Sequence, residues 1–224
     1  MYKYETHLHT YPVSKCARAS VRETLEFYKS RGYDGVFITN HFIDSNINID
    51  RHLPYSDRIN FFFSDYEEGV KIGKELGIKV FPGLEITCES AHLLIYGIDK
   101  AWLLERDVEK LDKREMLKLM KEAGALIIHA HPFRGIPNLE SVPLFPQYAH
   151  GVEWYNASRA DYENQMAKLY VENTGLIPFA GSDNHRAGKA GRLGGVESDV
   201  PVESEADFIR LVCEGKMRVF EEIL

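Results

Sequence analysis

Histidines and carboxylates recur in this chain directly after short apolar runs, where a buried strand would end. The first such segment, Glu-Thr-His-Leu-His, carries His7 and His9. Residues i and i+2 of a strand point to the same side, so both imidazoles can reach one site. Imidazoles and carboxylates gathered at strand ends are the donors that a site for several divalent metals requires. The pattern therefore predicts a metal centre.

The same spacing recurs in two later segments. Asp183 and His185 stand two residues apart in Gly-Ser-Asp-Asn-His, the most specific motif of the sequence. His129 and His131 form another pair in front of a proline. His131 is the stronger ligand candidate. His129 is interpreted as a ligand, a group that supports a ligand, or a packed core residue.

Three more donors complete the set. His41 ends an apolar run, Glu85 ends the run Phe-Pro-Gly-Leu, and His92 opens the next one. The two oxygens of Glu85 can bridge two cations, which an imidazole cannot do. The sequence therefore offers eight candidate ligands: His7, His9, His41, Glu85, His92, His131, Asp183 and His185. One zinc ion takes three or four protein ligands, so we expect two or three divalent ions, with Zn, Mn and Fe all compatible with these donors.

The elements that must position these donors alternate between short apolar runs and longer amphipathic ones, as in β/α units. Strands are predicted over 2–7, 35–39, 78–81, 92–96, 125–130, 151–155 and 177–180, with a short closing strand over 217–220. Helices are predicted to begin at capping boxes at Ser20 and Ser64, and further helices over 106–123, 160–172 and 204–213. Residues 44–63, 132–150 and 186–195 are predicted to be loops.

Seven strands with intervening helices predict an α/β fold, a distorted (β/α)7 TIM-like barrel in a single domain over 1–224. Functional side chains of such barrels project from the C-terminal ends of the strands. His92 is the exception, because it begins its strand. Either that strand runs antiparallel to the others, or His92 reaches the site from the preceding loop.

Composition narrows the class of protein and its partners. The 224 residues carry a formal charge of −7, which argues against a broad basic face for nucleic acid. The three cysteines, Cys16, Cys88 and Cys213, are widely spaced and odd in number, which favours a reducing compartment. We find no signal peptide pattern and no apolar run near the ~18 residues of a membrane span. A cytoplasmic protein with no nucleic-acid or membrane partner is expected.

The motifs, taken in order, resemble the PHP (polymerase and histidinol phosphatase) family of metal-dependent phosphoesterases. The resemblance rests on His7-Leu8-His9, Thr39-Asn40-His41, Gly83-Leu84-Glu85, His92 before Leu93-Leu94-Ile95-Tyr96-Gly97, His131-Pro132 and Gly181-Ser182-Asp183-Asn184-His185. It implies a distorted (β/α)7 barrel with up to three metals. The implied ligands are His7, His9, Glu85 and Asp183 for the first metal, Glu85, His92 and His131 for the second, and His41 and His185 for the third.

The chain departs from the family pattern in two places. Asn40 stands where an aspartate often precedes the histidine. Some three-metal members carry a further histidine several residues after the first motif, where this chain has Val13, Ser14, Lys15 and Cys16. The resemblance therefore implies a third metal that is weakly held, completed by water or phosphate, or absent.

The function expected from these residues is hydrolysis of a small phosphate monoester by a metal-activated hydroxide. Asp183 or His185 is the candidate general acid. Arg134 is the first candidate for a phosphate contact, followed by Arg159 and Arg186, because each lies shortly after a strand-end motif. Two alternatives stay open: a metal-dependent amidohydrolase, although those enzymes usually bridge their metals with a lysine, and a non-catalytic metal-binding regulatory domain.

Overall fold

A computed structural model describes residues 1–43, 45–135 and 141–224 of the chain. The strands are β1 (Tyr2–Leu8), β2 (Gly35–Ile38), β3 (Lys79–Pro82), β4 (Leu84–Cys88), β5 (Ala91–Tyr96), β6 (Leu126–Ala130), β7 (Gly151–Asn156), β8 (Ile177–Gly181), β9 (Arg192–Ser198) and β10 (Arg218–Ile223). The α-helices are α1 (Val21–Ser30), α2 (Tyr55–Leu76), α3 (Lys100–Leu104), α4 (Lys113–Glu122), α5 (Asp161–Thr174) and α6 (Glu205–Cys213). No helix within these residues is both long and apolar enough to cross a membrane.

The strands form two mixed sheets of five strands each, so the predicted single (β/α)7 barrel is wrong. The first sheet has the order β10-β9-β1-β2-β3 and the second β4-β5-β6-β7-β8. Isolated bridges between Leu8 and Asn184 and between His41 and Glu85 connect them, but the described strands close no barrel. β1-β2-β3 and β6-β7-β8 are parallel, whereas β9, β10, β4 and β5 pair antiparallel with their neighbours.

The reason for the difference lies at Gly83, where the chain leaves the first sheet for the second. Only this residue separates β3 from β4, which leaves no room for the crossover helix of a β/α unit. A Cβ at Gly83 would lie 2.7 Å from Cγ2 of Thr39, so the close crossing requires glycine here. The sequence analysis did not separate β4 from the run that precedes Glu85.

Other predicted boundaries also differ. α2 begins at Tyr55 instead of Ser64, because Ile59, Phe62 and Phe63 bury one helical face. The Ser64 hydroxyl donates to the Phe61 carbonyl inside this helix and caps nothing. The predicted loop over 186–195 contains the start of β9, and α4 covers only part of the predicted 106–123 helix. Of the other two predicted loops, residues 44 and 136–140 lie outside the described residues.

An aromatic core between the sheets holds the strands in place. Tyr4, Phe37 and Phe81 of the first sheet pack with Leu94, Tyr96 and Phe179 of the second, and Phe208 of α6 joins them. The rings of Phe37 and Phe208 lie 4.2 Å apart between centroids. These residues fill the α6 end of the sheets, so the polar residues of the same strands meet at the opposite end.

Candidate metal centre

The structure brings all eight predicted donors to that opposite end. His7 lies near the end of β1, Glu85 in β4 and His92 in β5, while the other five follow the ends of β1, β2, β6 and β8. Among them, His92 and His185 are partly exposed and the rest are buried. His92 reaches the site because β5 runs antiparallel, and it pairs with Thr87, two residues from Glu85 on the same face. Of the two alternatives for His92, an antiparallel strand or a position in the preceding loop, the antiparallel strand is therefore correct.

Glu85 is the middle of the cluster. Five imidazole nitrogens lie within 3.5 Å of its oxygens: Nδ1 of His92 at 2.7 Å, Nε2 of His7 at 3.4 Å and Nε2 of His131 at 3.5 Å from Oε1, and Nδ1 of His41 at 2.6 Å and Nε2 of His9 at 3.4 Å from Oε2. The bridge between His41 and Glu85 fixes this position, because the two backbones pair there. A carboxylate that reaches this many imidazoles is placed to contact more than one ion.

Asp183 closes the cluster from the other side. Its Oδ1 lies 3.4 Å from Nε2 of His9 and 3.6 Å from Nε2 of His7, and its Oδ2 lies 3.9 Å from Nε2 of His131. Asp183 and His131 both have a positive φ, 51° and 28°. Such left-handed backbone is costly for residues with a side chain and persists where the surroundings hold it. The Asp183 N–H donates to the His7 carbonyl at 2.7 Å.

Glu153 of β7 is a buried carboxylate that the sequence analysis passed over. Its Oε1 accepts a hydrogen bond from Nδ1 of His7 at 2.9 Å. Its Oε2 accepts from the backbone N–H of His131 at 3.0 Å and from Nδ2 of Asn156 at 2.9 Å. With Nδ1 as the donor, the Nε2 of His7 carries its lone pair toward the cluster. The signal was a single carboxylate inside an apolar strand, since such a group is buried only with partners.

Asn40, which departs from the family pattern, also supports the site. Its Oδ1 accepts from the hydroxyl of Ser14 at 2.8 Å, and its Nδ2 donates to Asp65 at 3.0 Å. The Ser14 oxygen lies 3.3 Å from Nδ1 of His9 and accepts from the backbone N–H of His41 at 3.1 Å. The amide therefore positions two donors through a serine.

Three buried atoms of the cluster show that this donor set fits divalent metal ions. Nδ1 of His41, Oε2 of Glu85 and Nε2 of His131 make no hydrogen bond to any described residue. Buried polar atoms are almost always paired, so atoms that converge without hydrogen-bond geometry point to cations between them. Four groups place one donor atom per residue within 4.8 Å of one another: His7-His9-Glu85, His7-His131-Asp183, Glu85-His92-His131 and His9-Cys16-His41-His185.

The electrostatics favour the metal-binding form of the two carboxylates and of His9. Burial alone would raise the pKa of Glu85, but the imidazoles of His92 and His41 hold it well below the usual range. The pKa of Asp183 is also held low, against burial, by His7 and His9. Burial and the neighbouring His41 lower the pKa of His9 to about 3. At neutral pH the carboxylates are charged and His9 is neutral, as ligands must be. By contrast, Glu153 and Asp183 raise the pKa of His7 well above its usual value against the effect of burial, so metal binding there releases a proton.

Cys16 lies in the same cluster, although the sequence analysis treated it only as a departure. Burial raises the pKa of its thiol, but hydrogen bonds to His185 and His41 outweigh burial and lower it to about 6. The charge of Glu85 and, after it, the hydrogen bond to Cys16 raise the pKa of His41 to about 10 against the effect of burial. A thiolate is thus available beside two imidazoles.

The predicted arginines lie at the mouth of the cluster. Arg134 and Arg159 line a cavity of about 290 Å³ together with His41, Glu85, His92, Asp183 and His185. Nη2 of Arg159 lies 3.8 Å from Oδ2 of Asp183. Arg186 lines an adjoining cavity of about 440 Å³ that also contains Arg159 and Asp183. All three candidates are therefore near the donors, and Arg134 and Arg159 are the two that share the cavity.

His129, whose role the sequence left open, is not part of any of the four donor groups. It is buried in β6, its ring centroid 5.9 Å from that of Phe145. Neither ring nitrogen hydrogen-bonds to a described residue. Burial, with the nearby His131, lowers its pKa to about 3. This is a neutral, packed histidine beside the centre.

No protein-family model matches this chain, and no curated protein matches its sequence. Solved structures do match. A two-domain protein from Bacteroides vulgatus containing a predicted PHP-like metal-dependent phosphoesterase aligns with a TM-score of 0.70 at 15% identity, over 98% of this chain and 64% of that one. The lesion-specific endonuclease PfuEndoQ from Pyrococcus furiosus aligns with a TM-score of 0.61 at 14% identity, over 97% of this chain and 57% of that one. An amidohydrolase from Chromobacterium violaceum aligns with a TM-score of 0.57 at 14% identity, over 96% and 97% of the two chains.

These matches identify the fold. The structural neighbours include proteins described as a predicted PHP-like and a putative metal-dependent phosphoesterase, an amidohydrolase and the EndoQ endonuclease, so the backbone has the likeness to PHP-like proteins that the motifs suggested. The chain spans 64% of the length of the two-domain protein. At such low identity the likeness concerns the backbone, so function must be argued from the site.

Proposed function

We propose that this chain is a metal-dependent hydrolase that releases phosphate from a small phosphate monoester. The observation that carries the proposal is the convergence of eight imidazole and carboxylate donors, five of which line one cavity together with two arginines. Metal donors alone fit many hydrolases, but two guanidinium groups next to them favour a substrate with several anionic oxygens.

The metal ligands are assigned as the family resemblance implies, and the short distances among the donors support this assignment. We assign His7, His9, Glu85 and Asp183 to one ion, Glu85, His92 and His131 to a second, and His41 and His185 to a third, with Zn, Mn and Fe as candidates. When bound, these cations supply Lewis acidity toward a phosphoryl oxygen and lower the pKa of a water molecule. Glu153 keeps His7 in the tautomer that binds, through the 2.9 Å contact to Nδ1.

The remaining residues act on the substrate. Arg134 and Arg159 line the cavity and neutralise the peripheral phosphate oxygens. Asp183 is held ionised, so it donates no proton to the leaving group at neutral pH. His185, whose pKa Cys16 and Asp183 raise against burial, is the proton donor in any state in which it is not a ligand.

The rival hydrolase is an amidohydrolase, and two observations favour phosphorus chemistry over it. The residue between the donor groups is Glu85, where amidohydrolases usually place a lysine. Besides its imidazoles, the described lining of the donor cavity includes two arginines, whose guanidinium groups bind tetrahedral oxyanions in a bidentate manner. The cavity of about 290 Å³ is at the small end for ligand sites, which favours a small monoester over a polymer.

The test begins with metal analysis of the untreated protein and a phosphate-release screen over many natural monoesters, with amides and DNA phosphodiesters assayed in parallel. Asp183→Asn is compared with Asp199→Asn, whose carboxylate is exposed and paired with Arg218. We expect metal-dependent phosphate release that Asp183→Asn abolishes and Asp199→Asn leaves intact. Cleavage of amides alone would establish the amidohydrolase. Tight metal binding with no turnover of any substrate would establish the regulatory domain.

A further inference from the structure

The fourth donor group contains a residue that the metal assignment above leaves unused. Cys16 contributes its sulfur to a set with one nitrogen each from His9, His41 and His185, all within 4.8 Å of one another. The other two cysteines differ from it. Cys88 is buried in an apolar cluster and Cys213 is exposed. Only Cys16, of the three, lies among imidazoles.

The backbone holds Cys16 against this set from both sides. The N–H of Lys15 donates to the Asn46 carbonyl at 3.0 Å, and the N–H of Arg18 donates to the His185 carbonyl at 2.8 Å. The second bond ties the segment that carries the thiol to the segment that carries one of the imidazoles. The sulfur is therefore placed by the fold next to the donors.

A second observation supports a cation at this position. The side chain of His41 is 9% exposed, and its Nδ1 lies 2.6 Å from Oε2 of Glu85 without a hydrogen bond to any described residue. The His9 ring stacks between His41 and His185, with ring centroids 4.5 and 4.4 Å away. One donor atom from each of the three rings and the sulfur therefore lie within 4.8 Å of one another.

We propose that Cys16 is a thiolate ligand of the third metal position, together with His41, His185 and His9, and that the thiolate makes this position select zinc over manganese. The inference rests on the proposed function in taking the centre to bind divalent metals. Cys16 would supply the additional ligand of the third metal that the resemblance did not identify. His9 also contacts Glu85 and Asp183, so Cys16, His41 and His185 are the ligands particular to this position.

The chemistry of the set gives the selectivity. Zinc binds cysteine and histidine tetrahedrally, with bonds of about 2.0–2.3 Å, so its ligand atoms lie roughly 3.3–3.8 Å apart. Donor atoms within 4.8 Å need only a small closure to reach that spacing. Manganese prefers carboxylate and water oxygens, whereas thiolate and imidazole favour zinc. The positions around Glu85 and Asp183 lack sulfur and accept either ion.

The experiment replaces zinc with cobalt in the full chain and records the thiolate-to-cobalt charge-transfer band. We expect the band in the wild type and in Cys213→Ser. Cys16→Ser should lose the band and should also bind about one fewer ion per chain. Cys16→His should keep the ion and lose the band. Bound cobalt without the band would overturn the proposal.

A second measurement uses the wild type alone, so it stands even if the variants fold poorly. Iodoacetamide should label Cys16 in metal-free protein and in manganese-loaded protein, but not after zinc loading, while exposed Cys213 reacts in every sample. Equal labelling of Cys16 with and without zinc contradicts the assignment. If cobalt-loaded protein releases phosphate but shows no thiolate-to-cobalt band, the proposed function is supported and Cys16 is not a metal ligand. A chain that binds no divalent ion refutes both.

Discussion

Replacement of Glu153 by glutamine is expected to disable metal binding while keeping the shape of the residue. The carboxylate accepts three N–H groups, from His7, His131 and Asn156, at 2.9, 3.0 and 2.9 Å. A glutamine has one acceptor oxygen and one NH2 group, so it cannot accept from both sides at once. Whichever way the amide turns, one buried donor group faces another.

The magnitude follows from the two orientations. If the NH2 faces His7, Nδ1 must become an acceptor, and the proton moves to Nε2, the atom that faces Glu85 and Asp183. If it faces His131 and Asn156, two buried N–H groups lose their acceptor, at about 1–3 kcal/mol each. Loss of such a partner of a metal-binding histidine lowers affinity by about 10–100-fold, which corresponds to about 1.4–2.7 kcal/mol.

The assay is zinc titration of chelator-stripped protein by calorimetry, together with urea unfolding of the metal-free form. Glu205→Gln is the matched control, because Glu205 accepts a hydrogen bond from the Gly97 N–H at the opposite end of β5 from His92. We expect weaker zinc binding and lower stability in Glu153→Gln, and unchanged zinc affinity in Glu205→Gln. Wild-type zinc affinity in Glu153→Gln would refute the role assigned to this carboxylate.

Three further predictions concern the metals, the arginines and pH. Chelation should lower the Tm by about 5–11 °C, since a ligand at 100 times its Kd stabilises by about 2.7 kcal/mol, and added zinc should restore it in differential scanning fluorimetry; an unchanged Tm would mean that no structural metal was present. Arg134→Ala and Arg159→Ala should each lower kcat/KM for a phosphate monoester by about 10–100-fold, whereas Arg22→Ala, which removes an exposed pair with Glu75, should leave it unchanged; equal rates in all three would remove the arginines from the site. Burial raises the pKa of Glu205 to about 7 from 4.5, so the folded chain holds a proton that the unfolded chain releases, and stability falls as pH rises through this window. Glu205→Gln should therefore raise the free energy of unfolding by about 1–2 kcal/mol at pH 8, after allowance for partial exposure, with a difference that shrinks toward pH 4.5 in urea titrations; a pH-independent difference would contradict it.

The sequence indicated which residues the fold brings together because their signals are local. His7 with His9, and Asp183 with His185, are pairs at a spacing that a strand turns to one side, and their types alone restrict the chemistry. Strand positions such as 177–180 were also predictable, since short apolar runs reflect burial. The role of these residues as ligands stays a prediction until a metal is bound and counted.

The architecture needed the tertiary structure. Whether the run before Glu85 is one strand or two depends on the crossing at Gly83, which brings a backbone against Thr39, 44 residues away in the chain. No local sequence pattern contains that contact. The sequence therefore predicted one barrel where the structure has two sheets. The aromatic face of α2 was taken for a loop for a similar reason, because only the packed core shows which side of Phe62 is buried.

The sequence also does not show which donors the supporting residues Glu153 and Cys16 contact. Glu153 lies in a strand and Cys16 in a loop, and only the folded structure places them beside His7 and His41. Sequence by itself determined which donor atoms this protein has, since residue type and spacing are local properties. Only the tertiary structure decided which of those atoms meet, because convergence depends on contacts between residues far apart in the chain.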